Sequence, residues 1–414
     1  MVQGTELALE QLPNGLRMVH LESQGHVCYI ALMVRLGSRD EQPEDYGLSH
    51  LLEHMLFKGT RCRSAYQVSN RLESVGGDLN AYTSKEELVV QAALLPQDLQ
   101  RGLELVADVV VNPTFPPREL ARERDVVLEE IASYRDAPSE QILDDFEVML
   151  FATPALGHPI LGDRRRVVRF TSEDLHRLHA AFFRAGNMVL ATAGPLKAER
   201  VFTQARKYFS TVPTGSLPPM RPQAQFTCPR VQWHPKATTQ AHCVVGGQAI
   251  SMLDPHYTPL ALLLNVMAGD ASNARLNRIL REHRGLIYQL DGALTTYMDL
   301  GFYAIYFGTE ARHLRSALRL VAQEFDALCQ SPLGCLQLSQ AKRQYIGQLY
   351  MGADNIEAAM LLTARRVLEA LPMVSLQQAV EEVHAVTAQQ LLELAQHYFE
   401  PTRMYTLIYG RPCR

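Results

Sequence analysis

The stretch Leu48-Ser49-His50-Leu51-Leu52-Glu53-His54-Met55-Leu56 sets two imidazoles and a carboxylate in the pattern H-x-x-E-H. On a helix turning about 100° per residue, His54 lies roughly 40° around the axis from His50 and Glu53 about 60° to the other side. All three side chains therefore leave one narrow face. Two imidazoles one turn apart can hold a single Zn²⁺, and the carboxylate beside them can take a proton from a water activated there. The same residues could line a solvated helix edge, but the flanks argue against it. Leu48, Leu51, Leu52, Met55, Leu56 and Phe57 make the segment largely apolar, so the helix is expected to be buried on most sides. Three unpartnered polar side chains on a buried face would be costly, and a metal with its water satisfies them together.

Zn²⁺ in hydrolases usually takes three protein ligands and keeps a position open, so a third ligand is expected elsewhere. An acidic helix running from Pro117 to about Tyr134 carries Leu120, Val127, Leu128 and Ile131 at helical spacing. It offers Glu119, Glu123, Glu129 and Glu130. Glu123 and Glu130 are seven residues apart and share a face, and Glu119 lies one turn before Glu123. Glu119 and Glu129 read as ordinary solvated carboxylates; spacing alone does not choose among the candidates.

The elements that must position these groups follow from the hydrophobic pattern. Strands are expected at 16–21 and 29–36, the motif helix at about 46–57, a second helix at 65–75, a hairpin at 79–83 and 88–95, and helices at 97–112, 117–135, 139–150 and 172–184. A strand at 188–193 and a helix at 195–210 follow. The segment from Gly77 to Ser84 comes after a double glycine and reads as an edge strand; by itself it fits an ordinary hairpin, and with the motif nearby it fits an edge that binds a peptide through backbone hydrogen bonds. Four prolines in Thr211–Pro222 mark a linker. Beyond it the order strand (240–247), helices (255–268 and 274–283), hairpin (289–297 and 301–308) and long helix (310–330) repeats the first half, as a tandem duplication would. At the place of His50–His54 the second half offers Leu262-Leu263-Leu264-Asn265-Val266, apolar and without ligands.

Composition bounds the rest. The 414 residues, 47% of them hydrophobic, suit two domains rather than one core. The expected division is a zinc-binding domain at 1–212, a proline-rich linker at 213–224 and a degenerate homologous domain at 225–414. A net charge of −4 gives no basic footprint for nucleic acid. The seven cysteines (Cys28, Cys62, Cys228, Cys243, Cys329, Cys335 and Cys413) include no C-x-x-C pair and read as reduced thiols of a cytoplasmic protein. The first residues show no apolar signal core, and no run of about 18 apolar residues suggests a membrane span. His176 and His179, three apart, lack an acidic partner. They and the other histidines, His158 in Gly157-His158-Pro159 among them, read as structural.

Taken together, these segments resemble the M16 (pitrilysin/insulinase/mitochondrial processing peptidase-like) zinc metallopeptidases of the short, two-domain bacterial type. The resemblance runs through Leu12–Leu16, Gly37–Glu41, the His50–His54 box, Phe57–Thr60, Gly76–Ser84, Glu123–Glu130 and Gly157–Gly162, nearly the whole chain. H-x-x-E-H is the inverzincin signature. The resemblance implies an α+β fold of two tandem homologous α/β-sandwich domains, each a mainly antiparallel sheet packed with helices (LuxS/MPP-like). It implies one Zn²⁺ per chain on His50, His54 and Glu130, Glu53 as general base, and Glu123 as the group that orients a histidine ligand. Asn80, Ala81 and Thr83 match the substrate strand. Arg281 and Tyr288 match a substrate-gripping arginine and a phenol that donates to the scissile carbonyl. The implied activity is cleavage of peptides or unfolded polypeptide segments. Long relatives fuse two such halves, so a homodimer is expected, or a heterodimer with a related subunit. The rival expectation is a non-catalytic scaffold or partner subunit, although such members usually carry a broken motif.

Overall fold

The computed structural model describes residues 6–153, 155–215 and 221–410. The chain forms two compact units, and neither is contiguous. One comprises Met1–Ala132, His158–Pro222 and Met351–Ser375; the other comprises Ser133–Gly157, Gln223–Tyr350 and Leu376–Arg414. Two blocks divided at 212 and 225 do not describe this arrangement. Residues 133–157 belong with the second unit and residues 351–375 with the first. Ser216 to Met220, in the middle of the proline-rich linker, and Cys413 lie outside the described residues.

The first unit is built on six strands, β1 (Glu6–Gln11), β2 (Arg17–Glu22), β3 (Cys28–Val34), β4 (Asp78–Thr83), β5 (Leu88–Leu94) and β6 (Met188–Gly194). Their order is β1-β2-β6-β3-β5-β4. All neighbours are antiparallel except β2 and β6. The expected edge strand is therefore observed as β4, which among the described residues pairs only with β5. Four helices of this part of the chain matter for the site or its packing: α1 (Leu48–Leu56), α2 (Ala65–Glu73), α3 (Leu99–Val111) and α4 (Pro117–Asp136).

Alternation along β3 explains the layers. Ile30, Leu32 and Val34 face a core that includes Leu51, Leu52 and Met55 of α1, Leu103 of α3, and Leu120 and Val127 of α4. Ala31 and Met33 face the opposite way, with Val19, Val89, Val189 and Ala191. A sheet buried on both faces needs a second layer. That layer is the helix Ile356–Leu368, whose Met360, Ala364 and Leu368 close the far face. Arg365 of this helix pairs with the buried Glu87, and Arg35 with Glu369. Within the linker, the Arg221 side chain is only 6% exposed and donates to both oxygens of Asp40 at 2.8 and 2.7 Å.

The second unit repeats the plan with β7 (Val231–His234), β8 (Ala241–Ala249), β9 (Ile287–Thr296), β10 (Gly301–Thr309) and β11 (Met404–Tyr409), in the order β7-β11-β8-β10-β9. Again one neighbouring pair, β7 with β11, is parallel. Every residue of β10 is buried. One face of this sheet packs against α5 (Pro138–Leu150), which supplies Ile142, Phe146, Met149 and Leu150. The helix Tyr257–Ala268 follows β8 as α1 follows β3, and its Leu262, Leu263 and Leu264 are core. No helix among the described residues is long and apolar enough to cross a membrane. The six described cysteines are unbridged.

Candidate metal centre

Helix α1 begins at Gly47, whose φ of 97° is left-handed, and buries Leu48, Leu51, Leu52, Met55 and Leu56. The apolar face fixes the helix, and His50, Glu53 and His54 leave on the remaining side. Helix α4 opens with Pro117, whose fixed φ suits a first helical position. Its Leu120, Val127 and Ile131 are buried, which presents Glu123 and Glu130 to α1. Glu129 is exposed, and Glu119 pairs with Arg122 at 3.1 Å.

Among the described residues, His50, His54 and Glu130 are the one group of three or more potential ligands whose atoms lie within 4.8 Å of one another. Nε2 of His50 and Nε2 of His54 each stand 3.6 Å from Oε2 of Glu130. That separation is too long for a hydrogen bond. It is close to the edge of a zinc tetrahedron, roughly 3.4 Å for bonds of about 2.0–2.1 Å. The donor set and its spacing therefore fit Zn²⁺.

The two histidines are prepared differently. Glu123 Oε2 accepts from Nδ1 of His54 at 3.1 Å, a bond that orients the ring with Nε2 toward Glu130. Lys58 in turn donates to Glu123 Oε1 at 2.8 Å. His50 has no such partner, since its Nδ1 is buried without a hydrogen bond. Burial, with His54 beside it, pushes the His50 pKa down to about 3, so the ring is neutral and able to ligate.

Glu53 stands outside this group of three. Thr83 Oγ1, at the end of β4, donates to Glu53 Oε2 at 2.6 Å. Burial raises the Glu53 pKa, and the Thr83 bond works against that rise. A carboxylate so balanced can accept a proton and release it again.

The other expected site residues fall in two places. On β4, Asn80 is exposed, and its Oδ1 accepts from the Ala81 N–H at 2.8 Å, a local bond. Arg281 and Tyr288 belong to the second unit. Arg281 lies in the wide turn Asn277–Glu282 and pairs with Glu282 at 3.0 Å; Tyr288, on β9, is 69% exposed. Two neighbours of the site, Lys58 and the Thr83 hydroxyl in its role toward Glu53, were not singled out by sequence reasoning. Lys58 lies two residues past the end of the motif helix, where no helical spacing points to it.

Comparison with known proteins sets this geometry in context. The family model for Insulinase (Peptidase family M16) matches residues 17–164, and that for the Peptidase M16 inactive domain matches residues 169–345. An uncharacterized zinc protease of Bacillus subtilis is 29% identical over 397 residues, covering 95% of this chain and 96% of that protein. One of Mycobacterium tuberculosis is 30% identical over 393 residues, with 93% and 89% covered. A Pseudomonas fluorescens structure, described as a peptidase M16 inactive domain, superposes with a TM-score of 0.92 at 21% identity, covering 99% of this chain and 98% of that one. A protease from Helicobacter pylori gives 0.89 at 18% identity, covering 98% and 99%.

Proposed function

The chain belongs to the M16 peptidase family, and on that premise we propose that it is a zinc-dependent endopeptidase acting on peptides or unfolded segments. The observation that carries this reading is the convergence of His50, His54 and Glu130 beside Glu53. When bound, zinc supplies Lewis acidity that both acidifies water and polarises a peptide carbonyl. His50, His54 and Glu130 hold the ion. Glu53 takes the proton of the attacking water and returns it to the leaving amine. The free edge of β4, with Asn80 and Ala81, aligns an extended peptide by strand addition. The test is to incubate the zinc-loaded chain with a random peptide library and identify products by mass spectrometry. Cleavage is expected, lost with a chelator and restored by zinc.

A second reading, a non-catalytic scaffold or partner subunit, is favoured by the P. fluorescens neighbour, described as an inactive domain. The family model of that description matches residues 169–345, whereas the four site residues lie within the stretch matched by the Insulinase model. A chain that binds zinc and cuts nothing in the library would support this second reading.

Thr83→Val keeps the shape of the side chain and removes the donor to Glu53. Turnover is expected to fall about tenfold with zinc content unchanged, as loss of a hydrogen bond to a charged group would cause. An unaltered kcat would show that Thr83 does not orient the base.

In this reading Arg281 grips the substrate and Tyr288 donates to the scissile carbonyl, both supplied by a second copy of the chain. Glu53→Gln and Tyr288→Phe chains, each inactive alone, should recover activity after subunit exchange, because one site in a mixed dimer then has both groups. Exchange without recovery would count against action across a dimer.

A further inference from the structure

The start of α1 is clamped by groups that the proposed reaction does not use. Glu41 has a fully buried side chain, 0% exposed. Its Oε2 accepts from the Gly47 N–H at 2.9 Å and its Oε1 from the Ser49 N–H at 2.7 Å. These are among the N–H groups at a helix start that have no partner within the helix. His158 Nε2 lies 3.2 Å from Glu41 Oε2. His158 is itself seated: its ring stacks on Tyr46 with centroids 3.7 Å apart and planes 9° from parallel, and Lys85 donates to its carbonyl.

The backbone adds a second restraint. Gly47 and Gly162 meet so closely that a Cβ on Gly162 would lie 2.3 Å from the Tyr46 carbonyl oxygen and 2.6 Å from the Gly47 Cα. A Cβ on Gly47 would lie 2.8 Å from the Leu161 oxygen. Both glycines have positive φ, 97° and 68°. The loop after His158 thus presses on the turn from which α1 starts, with no room for a methyl group on either side.

The consequence follows from the asymmetry between the two imidazoles. His54 is held by its ring, through Glu123. His50 has no hydrogen bond on its Nδ1, and it sits in the first turn of the helix, where fraying begins. Its ring stands edge-on to His54, with centroids 4.7 Å apart, but no hydrogen bond holds it through Nδ1, so its placement depends on the backbone, and Ser49, its immediate neighbour, is tied to Glu41. Ligand geometry tolerates errors of only about 0.5 Å. We propose that Glu41, backed by His158, is a positioning residue for His50, fixing through the helix start the imidazole whose Nδ1 no hydrogen bond holds.

This inference rests on the metal reading of the site, so its test uses the metal as the probe. Cobalt(II) replaces zinc in the purified chain, and its visible absorption reports ligand geometry while chelator competition reports affinity. Glu41→Gln cannot accept from both backbone N–H groups with its amide. It is expected to bind cobalt and zinc about tenfold more weakly and to shift the absorption. A core variant of equal melting loss, such as Ile30→Val, should keep the wild-type spectrum. His158→Leu should reproduce the Glu41→Gln shift, and His158→Gln, whose amide can still donate to Glu41, should restore the wild-type spectrum. Should Glu41→Gln fail to fold, the two His158 variants carry the same comparison. Wild-type spectrum and affinity in the folded Glu41→Gln chain, or in His158→Leu if that is the chain that folds, would overturn the inference and leave a cap that serves stability alone. A wild-type chain that takes up neither metal would overturn the metal reading, and this inference with it.

Discussion

Glu53→Gln is expected to keep the fold and the metal while lowering turnover by about 10²–10⁴-fold, the usual cost of losing a general base. The carboxylate is not one of the three converging side chains, so its loss should leave the metal content unchanged. Glutamine is nearly isosteric, and its amide oxygen can still accept from Thr83 Oγ1, which now holds the carboxylate at 2.6 Å. The amide cannot take the proton of water. Burial already raises the Glu53 pKa, which makes the carboxylate a better base than an exposed one while Thr83 restrains the shift. The measurement is kcat together with zinc per chain. A variant that cleaves at close to the wild-type rate with zinc bound would remove Glu53 from the mechanism.

What could be read before folding was the part of the site that obeys a local period. His50, Glu53 and His54 lie within one helical turn of one another, and Glu123 and Glu130 share a face of one helix, so 3.6-residue geometry suffices for each set. Which carboxylate meets which histidine depends on how α1 and α4 pack. Spacing alone left Glu119, Glu123, Glu129 and Glu130 in contention. The bond from Thr83 to Glu53 joins an edge strand to a helix 30 residues away in sequence, and that from His158 to Glu41 spans 117. No period reports such pairs. His158 read as a structural histidine, and its partner Glu41 caps the start of the helix that carries His50 and His54.

The same limit applies to the fold. The paired halves, the hairpins and the edge position of β4 follow from alternation and turn residues. The exchange of helices does not. Ile356–Leu368 looks like any amphipathic helix, and nothing local says that Met360, Ala364 and Leu368 cover the sheet of the other half. The hint lay in the strands instead. β6 and β10 are apolar or small along nearly their whole length and buried throughout, which requires helices on both faces of each sheet. Each half needed one more layer, and the chain supplies it from the other half.

Glu130→Gln is expected to release the metal, and Glu129→Gln to retain it. Consecutive helix residues point about 100° apart, so only one of the two can face the histidines. Glu130 Oε2 stands 3.6 Å from Nε2 of both imidazoles, whereas Glu129 is exposed. Glu130 is also the single anionic member of the converging set, beside a His50 ring kept neutral by burial. An amide oxygen keeps the reach but brings no charge to a dication. The loss of affinity should therefore exceed the roughly 10–100-fold that removing an orienting partner costs, which is the range expected for Glu123→Gln. Zinc per chain after dialysis against a weak chelator orders the variants: Glu129→Gln like wild type, Glu123→Gln intermediate, Glu130→Gln lowest. Equal loss in the Glu129 and Glu130 variants would mean that helix dipole or net charge, not coordination, governs retention. The ligand assigned to α4 would then have to be withdrawn.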